Sequence, residues 1–157
     1  MLKVGSKLNR GLYSSFSGDW ATPFQLIEAL RTEFPFTLDA CASPETAISD
    51  QWFGTENGKG PTEWAGVVWC NPPYGKGVDE WIEKAIDQSQ RGATVVLLLP
   101  ARTDTKWFHE LALPHASEIR FLRGRLSFRL RGKKIGGRAP FPSMLLIFRP
   151  EIFELLR

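Results

Sequence analysis

The run Val67-Val68-Trp69-Cys70-Asn71-Pro72-Pro73-Tyr74-Gly75 concentrates the chemistry of this 157-residue chain. Its four leading apolar residues suit a buried strand, and the Asn-Pro-Pro-Tyr beyond them stops a sheet. The Asn71 side-chain oxygen and the Pro72 carbonyl are both hydrogen-bond acceptors, and neither Pro72 nor Pro73 has an N–H. Two prolines hold those acceptors rigidly, and Tyr74 adds a flat aromatic face. Acceptors beside an aromatic plate meet the needs of an exocyclic amino group on a planar base. The ring stacks, and both N–H bonds are held so that the nitrogen lone pair points elsewhere. A plain proline turn after a strand is the simpler reading. The same pattern also serves different amino groups: those of adenine, cytosine, guanine in RNA and glutamine in proteins.

A second feature is the distribution of charge. Residues 119–150 contain nine basic residues (Arg120, Arg123, Arg125, Arg129, Arg131, Lys133, Lys134, Arg138 and Arg149) and no acid. The other 11 basic and 17 acidic residues leave the rest of the chain at −6. A basic segment on an acidic body points to a polyanionic partner, although a solvated hairpin whose arginines only aid solubility has the same composition. Cys41 and Cys70 supply neither a disulfide framework nor a set of zinc ligands, so reduced thiols and no metal are expected. There is no long apolar run and no secretory leader pattern, so a cytoplasmic protein without a membrane segment is expected.

These residues need elements to position them. With 43% apolar content the chain can build one core. Residues 1–18 are polar and aperiodic and read as a flexible arm, leaving 19–157 as a single domain. Thr22-Pro23-Phe24-Gln25 reads as a helix start, with Thr22 capping, Pro23 at the first helical position and Gln25 completing a capping box. Apolar residues at helical spacing continue that helix to Pro35. Phe36 to Asp39 predicts a strand, and Ser43-Pro44-Glu45 a short helix beyond Cys41. A strand is possible near Ile48, followed by a polar loop from Gly54 to Thr62. Val67–Cys70 predicts a strand, Val78–Gln90 a helix, Thr94–Leu99 the strongest strand, Thr105–Leu113 a helix, and Glu118–Leu122 and Met144–Phe148 two strands. The segment 123–142 reads as a hairpin with a long basic tip. Alternating strands and helices imply an α/β fold with a mainly parallel sheet and an antiparallel C-terminal hairpin. Ligands then bind at the carboxyl ends of the strands, which brings the LDACA and NPPY segments to one rim.

With these motifs in order, the sequence resembles the phage-type DNA N6-adenine methyltransferases, a Dam-like group using S-adenosylmethionine. The resemblance runs from Asp19 to Phe148. It rests on Asp19-Trp20-Ala21-Thr22-Pro23, Phe36-Thr37-Leu38-Asp39-Ala40-Cys41-Ala42, VWCNPPYG, LLLPARTDTKWFH, RGRLSF and FPSMLLIF. It implies a Rossmann-like class I methyltransferase fold acting on duplex DNA in the bacterial host cell of a phage or prophage.

The resemblance also implies roles. Trp20, Thr22 and Pro23 would contact the methionine end of the cofactor, with Asp39 on its ammonium and Ala40, Cys41 and Ala42 allowing close backbone approach. Asn71, Pro72, Pro73 and Tyr74 would hold the flipped adenine for direct methyl transfer to N6, and Arg102 would help position it. Where relatives carry an acidic pair before glycine and leucine, this chain reads Thr55-Glu56-Asn57-Gly58-Lys59-Gly60. Glu56 or Asn57 is then the candidate for the cofactor's amino group and Asp50 for its ribose. Arg123, Arg125, Arg129, Arg131, Lys133, Lys134 and Arg138 would contact DNA, mostly at phosphate. The domain is too short for a separate recognition module, so a short target, weak specificity or a dimer is expected, with the protein a monomer or homodimer. Cytosine N4 methylation, an RNA or protein-glutamine substrate, and a basic DNA-binding module with a decayed cofactor site stay open as alternatives.

Overall fold

A computed structural model describes residues 20–130, 133–134 and 137–151. The expected arm at 1–18, Asp19 and Arg131 lie outside them. The main sheet contains β2 (Leu38–Asp39), β3 (Val67–Cys70), β4 (Thr94–Pro100), β5 (Glu118–Phe121) and β8 (Ser143–Phe148), in the order β2-β3-β4-β8-β5. β2, β3 and β4 run parallel, and β8 is antiparallel to both β4 and β5. The fold is therefore α/β with a mixed sheet of five strands.

The expected antiparallel C-terminal pair is present: β8 pairs with β5, and it is inserted between β4 and β5. All six residues of β8, SMLLIF, are buried, so the strand needs neighbours on both sides. β5 reads EIRF, is only half-buried, and can tolerate the edge.

Helices cover both faces. α1 (Phe24–Arg31) places Ile27 and Leu30 against Val96, Leu98, Leu145 and Ile147. α3 (Val78–Gln90) places Trp81, Ile82 and Ala85 on the opposite face, against Val95, Leu97, Leu146 and Phe148. Alternate residues of β4 thus enter different cores, which is why TVVLLLP is apolar almost throughout. Burying each such side chain stabilises the fold by about 1.5–3 kcal/mol relative to leaving it exposed.

Smaller elements depart from expectation. The Ser43-Pro44-Glu45 segment is a turn, closed by hydrogen bonds from the Thr46 and Ala47 amides to the Ser43 carbonyl, rather than a helix. The expected strand near Ile48 is reduced to a parallel bridge between Trp52 and Asp39. The polar loop contains α2 (Thr55–Lys59). The helix expected at 105–113 is present as helical residues 106–115, with a π-helical turn at Phe108–Ala112 that runs directly into α4 (Leu113–His115).

Within the basic segment, Arg129–Leu130 and Lys133–Lys134 pair antiparallel as a hairpin. β1 (Trp20–Ala21), β6 (Arg129–Leu130) and β7 (Lys133–Lys134) form a second sheet, in the order β1-β6-β7. Trp20 is opposite Leu130 and Ala21 opposite Arg129. That pairing brings the basic segment beside the residues that lead into α1.

Candidate active site

β3 runs through the middle of the sheet, paired on both edges, and ends at Cys70. Asn71 and Pro72 come directly after it and are buried, and Pro73 and Tyr74 are half-buried at the turn. Gly75 and Gly77 have φ of 113° and 90°, so the chain can turn sharply into α3 only with residues that accept the left-handed region. The Asn71 carboxamide is engaged at both ends. Its Oδ1 accepts a 2.6 Å hydrogen bond from the Tyr74 hydroxyl, and its Nδ2 donates to Thr22 Oγ1 at 3.3 Å. Burial pushes the Tyr74 hydroxyl well above the ordinary tyrosine range, with buried Cys70 and Cys41 adding to the effect. It is therefore the proton donor in that bond at any physiological pH.

Thr22 does not cap α1. Pro23 occupies the capping position and no side chain bonds the first-turn amides. The expected Thr22–Gln25 capping box is thus absent, because the Thr22 hydroxyl is turned to Asn71 instead.

Two aromatics without a distinguishing sequence signal fix the Tyr74 ring. Phe141 and Phe128 meet it nearly edge-on, with centroids 5.6 Å and 6.2 Å away at 86° and 69°. Both come from the chain that links β5 to β8. Tyr74 also borders a cavity of about 490 Å³ between the carboxyl ends of β3 and β4 and the chain entering β8. Its lining includes Arg102, Asp104, Trp107 and Phe141, so Tyr74 and Arg102 do share one space. The signal that could have marked Trp107 was its position seven residues beyond the end of β4, on the same rim. Ser143, at the head of β8, is 1% exposed, and its hydroxyl has no hydrogen-bond partner among the described residues.

The segment after β2 is more closed than expected. Asp39 is 2% exposed, with Oδ1 accepting from the Cys41 amide at 3.3 Å and Oδ2 from the Ile48 amide at 3.1 Å. Burial raises its carboxyl from 3.8 to about 7, against the pull of those two amides. Ala40, Cys41 and Ala42 are buried, and the close backbone approach they permit is made by the chain itself. A Cβ on Gly58 of α2 would collide with the Ala40 carbonyl. Cys41 faces the Thr55 hydroxyl at 3.6 Å, and burial pushes its thiol up to about 11. Cys41 and Cys70 are both buried and form no disulfide among the described residues.

Glu56 and Asn57 are exposed on α2, near the start of α3, to which Lys59 is tied by an ion pair with Glu80. Asp50 does not join this group. It opens on a separate depression with Arg31, Phe36 and Ser49.

Among the basic residues, Arg123, Arg125, Arg129 and Arg138 lie at the surface. Lys133 and Lys134 form β7. Arg120 and Arg149 are committed elsewhere. Both pair with Glu33 and Glu118 and lie over the Phe34 ring, tying α1 to the sheet edge. The hydrogen bond from Arg120 is the main reason Glu33 and Glu118 stay below the usual carboxylate range. The positive surface is therefore smaller than the count of basic residues suggests. Among the described residues, no helix is long and apolar enough to cross a membrane.

Comparison with known proteins adds a family. The family described as DNA N-6-adenine-methyltransferase (Dam) matches residues 12–155. The chain is 33% identical over 129 residues to a protein of Escherichia phage T1 named DNA N-6-adenine-methyltransferase, covering 79% of this chain and 53% of that protein. It is 30% identical over 139 residues to a protein of the same name from Haemophilus phage HP1, covering 84% of this chain and 79% of that one. The chain thus spans about half the length of the phage T1 relative.

Proposed function

The chain belongs to the DNA N-6-adenine-methyltransferase (Dam) family, and on that premise we propose that it methylates the N6 amino group of adenine in duplex DNA. The observation that carries this reading is the Asn71–Pro72–Tyr74 group at the end of β3, whose Tyr74 borders a 490 Å³ cavity. An adenine extruded from the duplex would enter that cavity beside Tyr74. Asn71 Oδ1 and the Pro72 carbonyl accept its two amino hydrogens, drawing the nitrogen lone pair out of conjugation with the ring. Oδ1 has a second lone pair for this purpose while it holds the Tyr74 proton. The carboxamide is neutral and takes no proton itself, so the N6 proton leaves to water after the new bond forms. Most of the rate then comes from placement, with Phe128 and Phe141 holding Tyr74 and the glycines holding the turn.

The methyl donor we propose is S-adenosylmethionine, which when bound supplies a methyl group on a positively charged sulfur. Two features of the chain suit it. Asp39 is a buried carboxyl group that no cation offsets among the described residues, and an ammonium would meet that need. The uncapped amides at the start of α1 suit a carboxylate. Trp20, Thr22 and Pro23 would line that end, with Ala40, Cys41 and Ala42 forming the wall behind Asp39. Glu56 and Asn57 are the candidates on the nucleoside side; Asp50 is not, because it faces a different depression.

A Rossmann-like class I methyltransferase fold is the reading supported by three parallel strands, helices on both faces and a site at the strands' carboxyl ends. Phosphate contacts would come from Arg123, Arg125, Arg129 and Arg138, together with Lys133 and Lys134, and Arg102 would act inside the cavity. Extruding the base costs a few kcal/mol, offset by stacking on Tyr74 and by those phosphate contacts.

The test is to incubate the protein with unmethylated duplex DNA and labelled S-adenosylmethionine and to identify the product nucleoside. N6-methyladenine is expected from the wild type. Asn71→Ala should lose about 100- to 1000-fold in rate while keeping its affinity for DNA. Label recovered as N4-methylcytosine would move the reading to another base. Salt-dependent DNA binding with no transfer at all would replace it with that of a binding module.

A further inference from the structure

Thr22 sits one residue before the capping position of α1, close to where a threonine hydroxyl ordinarily satisfies an amide of the first turn. Here the helix has no side-chain cap, and the hydroxyl spans 49 residues of sequence to meet Asn71 Nδ2. Leaving a helix uncapped in this way destabilises it. A local rule broken beside a reacting group is a mark of function rather than of folding.

The carboxamide explains what such a contact can do. Its two ends have nearly the same shape and opposite hydrogen-bonding character. Turned by 180°, Asn71 would direct its own N–H groups at the amino group it has to hold. In the observed orientation the Tyr74 hydroxyl donates to Oδ1 and the Thr22 hydroxyl accepts from Nδ2. With Thr22 on the nitrogen side and Tyr74 on the oxygen side, the two ends are held by different elements.

We propose that Thr22 is a positioning residue that anchors the Asn71 carboxamide in its observed orientation, with Oδ1 presented to the target amino group and Nδ2 held away from it. This rests on the reading of Asn71 as the group that holds that amino nitrogen. It also gives Thr22 a task apart from any contact with the methyl donor. The β1–β6 pairing supports it physically, because the strand ending at Ala21 is registered against Arg129 of the basic segment. Thr22 is therefore held by a sheet and a helix start, and not by a free loop.

Three measurements test the idea. Thr22→Val removes the acceptor at nearly constant shape, and Thr22→Ser keeps it. With saturating S-adenosylmethionine and DNA, Thr22→Val should lower kcat about 100-fold, and Thr22→Ser should recover most of that rate. Adding Thr22→Val to Asn71→Ala should cost nothing further, since the carboxamide is already gone. Full kcat with a raised KM for S-adenosylmethionine would overturn the proposal, as would effects that simply add.

The third readout does not depend on turnover. The side-chain NH2 signals of Asn71, identified by their loss in Asn71→Ala, should shift in the 15N–1H spectrum of Thr22→Val and stay near their wild-type position in Thr22→Ser. Signals unmoved by Thr22→Val in a folded protein would overturn the proposal even if no methyl transfer were found. Absence of transfer with the expected shift would instead count only against the enzymatic reading.

Discussion

β4 and the small β1-β6-β7 sheet are both hydrogen-bonded, and they are built on different physics. β4 buries six of its seven residues between two helical layers and is flanked by partners on both sides. The small sheet uses two residues per strand, and its middle strand carries the exposed Arg129. Hydrophobic burial maintains the first. The second holds its place through backbone pairing across more than a hundred residues, with Phe128 and Phe141 reaching inward to Tyr74. A stable scaffold and a chemically active rim can thus be adjusted separately.

The largest expected effect tests the scaffold. Leu146 is opposite Leu97 in the sheet and has no exposure. Leu146→Ala should destabilise the protein by about 2–5 kcal/mol in urea unfolding, while the methylation rate of the molecules that remain folded stays at the wild-type value. A fall in that rate would show that the rim depends on core packing and would remove the separation.

Asp39 lies at the junction between the two regions, and its effect is a pH dependence. Its carboxyl binds a proton more tightly in the folded protein, at about 7, than at the ordinary 3.8. Folding therefore takes up a proton between those values. The stability contributed is complete below 3.8 and is lost as pH rises towards 7, at up to about 1.4 kcal/mol per pH unit. Asp39→Asn cannot titrate, so the stability difference between wild type and variant should shift against the wild type across that window. Parallel pH profiles of the two proteins would contradict it.

Smaller effects probe the rim itself. Tyr74→Phe keeps the ring against Phe128 and Phe141 and removes the proton given to Asn71. A single hydrogen bond of about 0.5–1.5 kcal/mol predicts a fall in kcat of about two- to tenfold, with the affinity for DNA unchanged. An equal loss to that of Asn71→Ala would mean that the hydroxyl does more than orient. The smallest change is expected from Arg129→Gln, which should lower the slope of log affinity for duplex DNA against log salt by about one unit and leave stability unaltered. Arg149→Gln is its counterpart: Arg149 belongs to the Glu33–Glu118 network, so its loss should leave that slope as it was.

Much of the scaffold was legible because its signals are local. Val67–Cys70, Val78–Gln90 and Thr94–Pro100 carry apolar patterns that only one kind of element can bury. The position of β8 was not legible. An apolar strand paired antiparallel to β5 is equally consistent with an edge and with an interior place, and only the competition between SMLLIF and EIRF for burial decides between them. α2 was missed because TENGK contains a glycine and little apolar periodicity. It forms because Gly58 can sit on the Ala40 carbonyl and Trp64 can donate its indole N–H to the Gly58 carbonyl at 2.9 Å.

The candidate site divides in the same way. Asn71, Pro72, Pro73 and Tyr74 announce themselves by residue type alone, since rigid acceptors beside an aromatic need no partner to be recognised. Residue order was enough to specify that group, the strand that ends in it and the excess of positive charge towards the C-terminus. Long-range packing settled that Thr22 would meet Asn71 instead of capping its helix, and that Arg120 and Arg149 would serve the sheet edge. It also set Phe128 and Phe141 against Tyr74. Those choices depend on groups far apart in the chain competing for the same hydrogen bonds and the same space, and no local spacing records which of them wins.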